Sequence, residues 1–178
     1  MRAYRPGDGE ALARAVTDSY DHLHPFLAWP RPSGPVEDFE ADARSMAGAY
    51  LSGTDFPMGV WTADGATLIG GTGFHLRGRS VDDGTGEIGM WVAADRAGRG
   101  LGTALLVAMV EWGFTAWPWQ RIEWFCHTDN RASAAVARAG GLRHEGTLHH
   151  VAAPGGRARA DDHVFALDRP TWLARGSD

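Results

Sequence analysis

Apolar positions recur along the chain at two periods, and each change of period marks an element. Residues 2–5 read as a first strand. Pro6-Gly7-Asp8 turns the chain, and Asp8 is expected to cap a helix running to about Ser19 with its side chain. Leu12, Ala15, Val16 and Tyr20 share one face of that helix. His22 to Pro35 is broken by Pro25, Pro30, Pro32, Gly34 and Pro35, which predicts a short helix and a loop. Phe39, Ala43, Met46, Ala47 and Tyr50 then return at helical spacing. Strands are predicted over 56–62 and 66–78, around the turn Ala63-Asp64-Gly65, and over 86–93. A helix over 100–116 places Leu101, Ala104, Leu105, Ala108 and Trp112 on one face. A strand over 120–126, a helix over 131–139 and two final strands complete an α/β order. No repeat or linker interrupts it, so residues 1–178 are expected to form one domain.

Composition narrows the classes. Apolar residues make up 44% of the chain, enough for a real core at 178 residues. The net charge of −5 argues against nonspecific nucleic-acid binding, which needs a basic surface. All 17 basic residues are Arg, so the protein has no side-chain amine of its own to modify. The single Cys, Cys126, excludes an internal disulfide and reads as a small core residue of a strand. No leader or 18-residue apolar run is visible, which predicts a soluble, cytoplasmic protein that does not enter the membrane. No cluster has metal-ligand spacing; His22-x-His24 beside Pro25 is too short and isolated for zinc.

The chemistry concentrates in Asp95-Arg96-Ala97-Gly98-Arg99-Gly100-Leu101-Gly102-Thr103. This Gly-rich loop joins a predicted strand to a helix start. A helix N-terminus offers unpaired N–H groups and a positive dipole end, and Gly lets the backbone approach an anion. A pyrophosphate suits it. A nucleoside-triphosphate loop would need Lys followed by Ser or Thr, and neither is here. The formal G-x-G-x-x-G at Gly84, Gly86 and Gly89 enters the strand instead of following it, which the dinucleotide fingerprint forbids. The bland alternative is that Gly98, Gly100 and Gly102 only make a tight turn.

The loop resembles the coenzyme A loop of the GNAT N-acetyltransferase superfamily, Gln/Arg-x-x-Gly-x-Gly/Ala. Gly100 and Gly102 match, whereas Ala97 departs from the first position, with Arg96 and Arg99 flanking it. Downstream, strand Arg121–Cys126, then His127-Thr128-Asp129-Asn130, then Arg131 to Leu142 with Ser133 resemble the second half of that acetyl-CoA site. His144-Glu145-Gly146-Thr147-Leu148 and Asp161–Leu167, about a Gly-containing turn, resemble its C-terminal hairpin. The Glu-Gly pair, the closing Asp and the segment Ser19–Pro30 are similar to the branch that acetylates N-terminal amines of ribosomal proteins. The resemblance implies an α/β single-domain GNAT-like fold, with a mixed, splayed central sheet of about six to seven strands flanked by helices. It implies acetyl-CoA as cosubstrate and a primary amine as acceptor. A protein or peptide N-terminus and a small-molecule amine, antibiotic or metabolite, both stay open. So does a catalytically inactive acetyl-CoA-binding regulatory domain. Homodimers are common in the resembling branch.

The resemblance also implies site residues. Backbone groups of Trp91, Val92 and Ala93 would hold pantetheine and polarise the thioester carbonyl. Amides from Arg99, Gly100, Leu101, Gly102 and Thr103 would take the pyrophosphate. Asn130 would bond the pantetheine arm, and Ser133 would donate a proton to the departing thiolate. Both also suit helix capping. Glu87 is the first candidate for the general base: it precedes Trp91 by four residues, so strand alternation puts both side chains on one face. A solvent-facing carboxylate is the alternative. His75 on the neighbouring strand, and His149 with His150 on the later hairpin, have the right titration range for proton transfer. In that branch a carboxylate follows the Glu-Gly pair in some members, but this stretch reads His149-His150-Val151-Ala152 and offers none. Trp29 is placed to wall the acceptor pocket together with His75 and His149, packing being its other use.

Overall fold

A computed structural model describes residues 1–151 and 159–175. Its elements in chain order are β1 (Arg2–Ala3), α1 (Gly9–Asp18), α2 (Tyr20–Leu23), α3 (Val36–Ser52), β2 (Phe56–Trp61), β3 (Leu68–His75), β4 (Thr85–Val92), α4 (Leu101–Ala116), β5 (Arg121–His127), α5 (Arg131–Ala139), β6 (Arg143–Val151), β7 (Ala160–Asp168) and α6 (Arg169–Arg175). The strands form a seven-stranded mixed sheet in the order β1-β2-β3-β4-β5-β7-β6, so the expected α/β class holds. The β4–β5 pair is parallel, and its ladder covers only Thr85–Glu87 against Arg121–Glu123. Both strands continue beyond it. The chain forms two compact units, Met1–His75 with Met90–Leu101, and Leu76–Gly89 with the described residues from Gly102 on.

In the first unit, Tyr4, Leu12, Ala15, Val16, Phe39, Ala43 and Leu68 build the core, with Trp61 and Trp91 packed against it. The expected faces of α1 and α3 are the buried ones. Asp8 departs from expectation. It precedes α1 but makes no side-chain cap. Its carboxylate instead accepts from Arg2 at 2.6 and 2.8 Å and from the Arg5 amide at 3.0 Å. A carboxylate beside a guanidinium gains a charge-assisted pair stronger than a neutral cap bond. Glu40 of α3 does the capping work across space, accepting from the amides of Gly7 and Gly9 at 3.0 and 3.1 Å. Strand β3 is shorter than predicted: it stops at His75, and Arg77 and Gly78 turn the chain with φ of 52° and 82°.

In the second unit, α4 buries Leu105, Leu106, Met109, Val110, Gly113 and Phe114. The predicted face is rotated: Ala104 and Ala108 are exposed, and only Leu105 of that set is buried. An almost wholly apolar helix carries little amphipathic contrast, so packing chooses the face. Helix α5 closes on it, and a Cβ added to Gly140 would come within 2.5 Å of Leu106 Cδ2. Helix α6 has no counterpart in the predicted elements. Its first residue, Arg169, donates to the carbonyls of Phe114, of Trp117 at 2.8 Å and of Trp119 at 2.9 Å, satisfying the C-terminal end of α4 and the turn after it. The Gly-containing turn of the last hairpin lies outside the described residues.

Candidate active site

Each unit carries its own share of the expected site. In the first, β4 ends in Trp91 and Val92, and Ala93 donates to the Ile69 carbonyl at 2.9 Å. Ala94 donates to Ser19 Oγ at 3.0 Å. Ser19 is 3% exposed, so this buried hydroxyl fixes the chain leaving β4 to the α1–α2 junction. A lone Ser carries no pattern, so the sequence gives Ser19 no such role of its own. The loop then reaches Gly98 and Gly100 with φ of 71° and 81°, conformations that favour Gly, and a Cβ at either would meet nothing within 4 Å. The backbone therefore lies open there, leading into α4 at Leu101. An extended anion fits this shape, since the first-turn amides of a helix have no intrahelical acceptor.

Trp91 stands on glycine. A Cβ on Gly71 would come within 2.2 Å of its Nε1, so the indole lies directly on β3. Trp29 meets it edge-on with centroids 5.8 Å apart and is 48% exposed. Trp29 also lines a pocket of about 270 Å³ with Leu12, Val16, Arg31, Phe39, Asp42, Ser45 and Met46. Arg31 lies over the Phe39 ring at 4.1 Å and pairs with Asp42 at 2.6 Å. His75 closes β3, and its Nδ1 lies 2.7 Å from Asp55 Oδ2.

In the second unit, Gly102 and Thr103 open α4, and a Cβ on Gly102 would press on Val136 Cγ2 of α5 at 3.3 Å. Asn130 caps α5, its Oδ1 accepting from the Ser133 amide at 3.0 Å. The capping use is thus real, and it leaves the two N–H donors of the amide for other partners. Ser133 Oγ accepts from Trp124 Nε1 at 3.0 Å, which turns its own hydrogen elsewhere. Burial pushes the neighbouring Cys126 thiol up, and the Ser133 hydroxyl partly opposes this. Cys126 is buried, as a core residue should be. Both oxygens of Glu87 accept from Arg77, at 2.9 and 2.7 Å. His149 sits on the exposed hairpin with Asp161 at 2.9 Å. Glu145 of the Glu-Gly pair is held by Arg121 at 2.6 Å and Arg143 at 3.3 Å, and its carboxyl lies below the ordinary range chiefly because Arg121 bonds it. Among the described residues no group of three or more His, Cys, Asp or Glu is arranged for a metal ion. Nor is any helix among them long and apolar enough to cross a membrane.

The profile of the acetyltransferase (GNAT) domain matches residues 1–143. The chain belongs to the GNAT acetyltransferases. It is accordingly an acetyl-CoA-dependent N-acetyltransferase. No curated protein matches it in sequence. Several solved structures share its fold. The ribosomal L7/L12 alpha-N-protein acetyltransferase RimL, solved with coenzyme A, has a TM-score of 0.81 at 20% identity, over 96% of this chain and 93% of its own. The microcin C7 self-immunity acetyltransferase MccE, solved with acetyl-CoA and AMP, has a TM-score of 0.81 at 19% identity, over 93% and 89%. A spermidine N-acetyltransferase from Vibrio cholerae has a TM-score of 0.73 at 18% identity, over 98% of both chains. This GNAT chain therefore shares its fold with a protein named for a protein N-terminus, one named for spermidine and one named for microcin self-immunity.

Proposed function

We propose that this GNAT chain, acting as a single domain, acetylates the N-terminal amine of a protein or peptide by direct attack on the acetyl-CoA thioester, without an acyl-enzyme. The observation that carries the coenzyme reading is the passage from β4 through left-handed Gly98 and Gly100 into α4. Acetyl-CoA supplies the activated acetyl group. Amides of Arg99, Gly100, Leu101, Gly102 and Thr103 take its pyrophosphate. Backbone groups of Trp91, Val92 and Ala93 hold the pantetheine arm and polarise the carbonyl, where fixed dipoles act without reorganising. The free N–H donors of Asn130 bond the same arm, and Ser133 turns its hydroxyl hydrogen to the departing sulfur. Trp29 walls the acceptor pocket, and His149 lies on the hairpin that contributes to acceptor binding.

An α-amine suits this site better than a Lys side chain. Its unperturbed pKa is about 8 against about 10.4, so an appreciable fraction is already neutral near pH 7. The exposed Trp29, beside a pocket of mixed apolar and charged lining, fits the first side chain of a peptide. The test is steady-state acetylation of Ser- and Ala-initiated peptides beside spermidine and aminoglycosides. Peptide turnover without small-amine turnover is the expected result; the reverse makes this a small-amine enzyme.

A further inference from the structure

The residues so far assigned leave the proton of the attacking amine without a destination. Glu87 has the expected strand position, yet both its oxygens already accept from the Arg77 guanidinium. Arg77 makes that clamp from the left-handed turn that follows β3, φ 52°. A water can therefore reach this carboxylate only at the lone pairs that Arg77 leaves open.

The first unit offers a better group. His75 is mostly covered, with 21% of its side chain exposed, and Asp55 Oδ2 lies 2.7 Å from Nδ1. Asp55 is its one ionised partner among the described residues. A carboxylate at Nδ1 holds the tautomer that carries its hydrogen there, and this leaves the Nε2 lone pair as the acceptor, pointing away from Asp55. The same division of labour orients imidazole bases in other acyl-transfer enzymes. The strand places this base on the right face. Gly71 carries the Trp91 indole, and alternation puts Gly73 and His75 on the same side of β3. No β3 side chain intervenes on that side, because the one intermediate position, Gly73, is glycine. Four residues of strand span about 13 Å, so the proton travels through water and not by direct contact.

We infer that the Asp55–His75 pair is the general base of this acetyltransferase, with His75 as the acceptor and Asp55 as its positioning residue. The inference rests on the acyl-transfer reading above. The amine nitrogen forms the C–N bond as the C–S bond breaks. Its surplus proton passes through water to Nε2, His75 returns it to solvent, and solvent protonates the departing thiolate. Amine and thioester become amide and thiol, with no net proton change.

The test is log kcat/KM against pH for a good amine acceptor. Toward acid the wild type falls with slope two, since amine and imidazole must both be neutral. His75→Gln falls with slope one, from the amine alone, and loses about 10²-fold on the plateau, the low end for a general base. Asp55→Asn keeps slope two and displaces the break. Glu87→Gln keeps slope two whatever its rate. Acetyl-CoA affinity and the melting temperature, measured on each variant, separate misfolding from lost catalysis. If His75→Gln folds, binds acetyl-CoA and retains slope two, the assignment is wrong. Slope one appearing in Glu87→Gln instead returns the role to Glu87. A wild type that binds acetyl-CoA but acetylates no amine overturns the acyl-transfer reading itself, and the assignment with it.

Discussion

Two alanine substitutions in the first unit should move stability in opposite directions. Gly9 opens α1 where α3 crosses it, and an added Cβ would lie 2.5 Å from Glu40 Cα and 2.6 Å from Glu40 N. Those are backbone atoms, so no rotamer relieves the overlap. Overpacking of this kind costs about 1–3 kcal/mol. Separating the helices also stretches the bonds that Glu40 makes to the amides of Gly7 and Gly9. Against this stands the higher helix propensity of Ala, at most about 1 kcal/mol in a helix interior and less at a first position. Gly9→Ala should therefore lose about 1–3 kcal/mol net. Gly48 lies inside α3 with nothing within 4 Å of its would-be Cβ. Gly48→Ala should gain about 0.5–1 kcal/mol from propensity alone. At this chain length 1 kcal/mol moves Tm by about 2–4 °C. Urea unfolding followed by circular dichroism, with the m-value checked for constancy, reads both. A Gly9→Ala protein as stable as the wild type would refute the close approach of α1 and α3. An unstabilised Gly48→Ala would show that the propensity term is mis-scaled here.

Further outcomes follow from the same geometry. Gly100→Glu forces a bulky anion and a strained left-handed φ onto the phosphate loop, so calorimetric affinity for acetyl-CoA should be lost while the fold survives. Ser19→Ala removes the acceptor of the Ala94 amide and should cost about 1 kcal/mol by urea unfolding, the net worth of one hydrogen bond. Burial pushes the Asp8 carboxyl up, but Arg2 and the Arg5 amide outweigh it, so the group ends below its ordinary value. A lowered native pKa means that this stabilisation is complete above the unfolded carboxylate range and disappears as pH falls through the native value. Asp8→Asn should therefore be destabilised at pH 7 and converge on the wild type in strong acid, as urea midpoints across pH will register.

Local sequence carried most of the fold because its signals were local. Prolines and glycines between His22 and Pro35 break the helix wherever the chain goes, and Gly98 and Gly100 announce left-handed backbone. What failed depended on partners far along the chain. Asp8 looks like a cap until Arg2 is brought beside it. The face of α4 could not be read from a helix apolar almost all round. Arg169 offers no motif, yet it satisfies three carbonyls some fifty positions earlier. The site divides the same way. The coenzyme loop and the Asn130 turn are contiguous patterns. The Asp55–His75 contact joins the start of one strand to the end of the next, and only the hairpin of β2 and β3 brings them together.

The strand order has a consequence for synthesis. Strand β7 lies between β5 and β6, although it is the last of the three to be made. On a ribosome β5 emerges with one side unpaired, and β6 cannot cover it. At about 5–20 residues per second, the roughly thirty residues up to β7 leave that bare strand waiting for seconds. A nascent chain stalled before Ala160 presents an open edge for pairing with its neighbours on a polysome. Slowing elongation between Leu142 and Ala160 with rare codons should therefore lower the soluble yield more than the same slowing placed after Asp168.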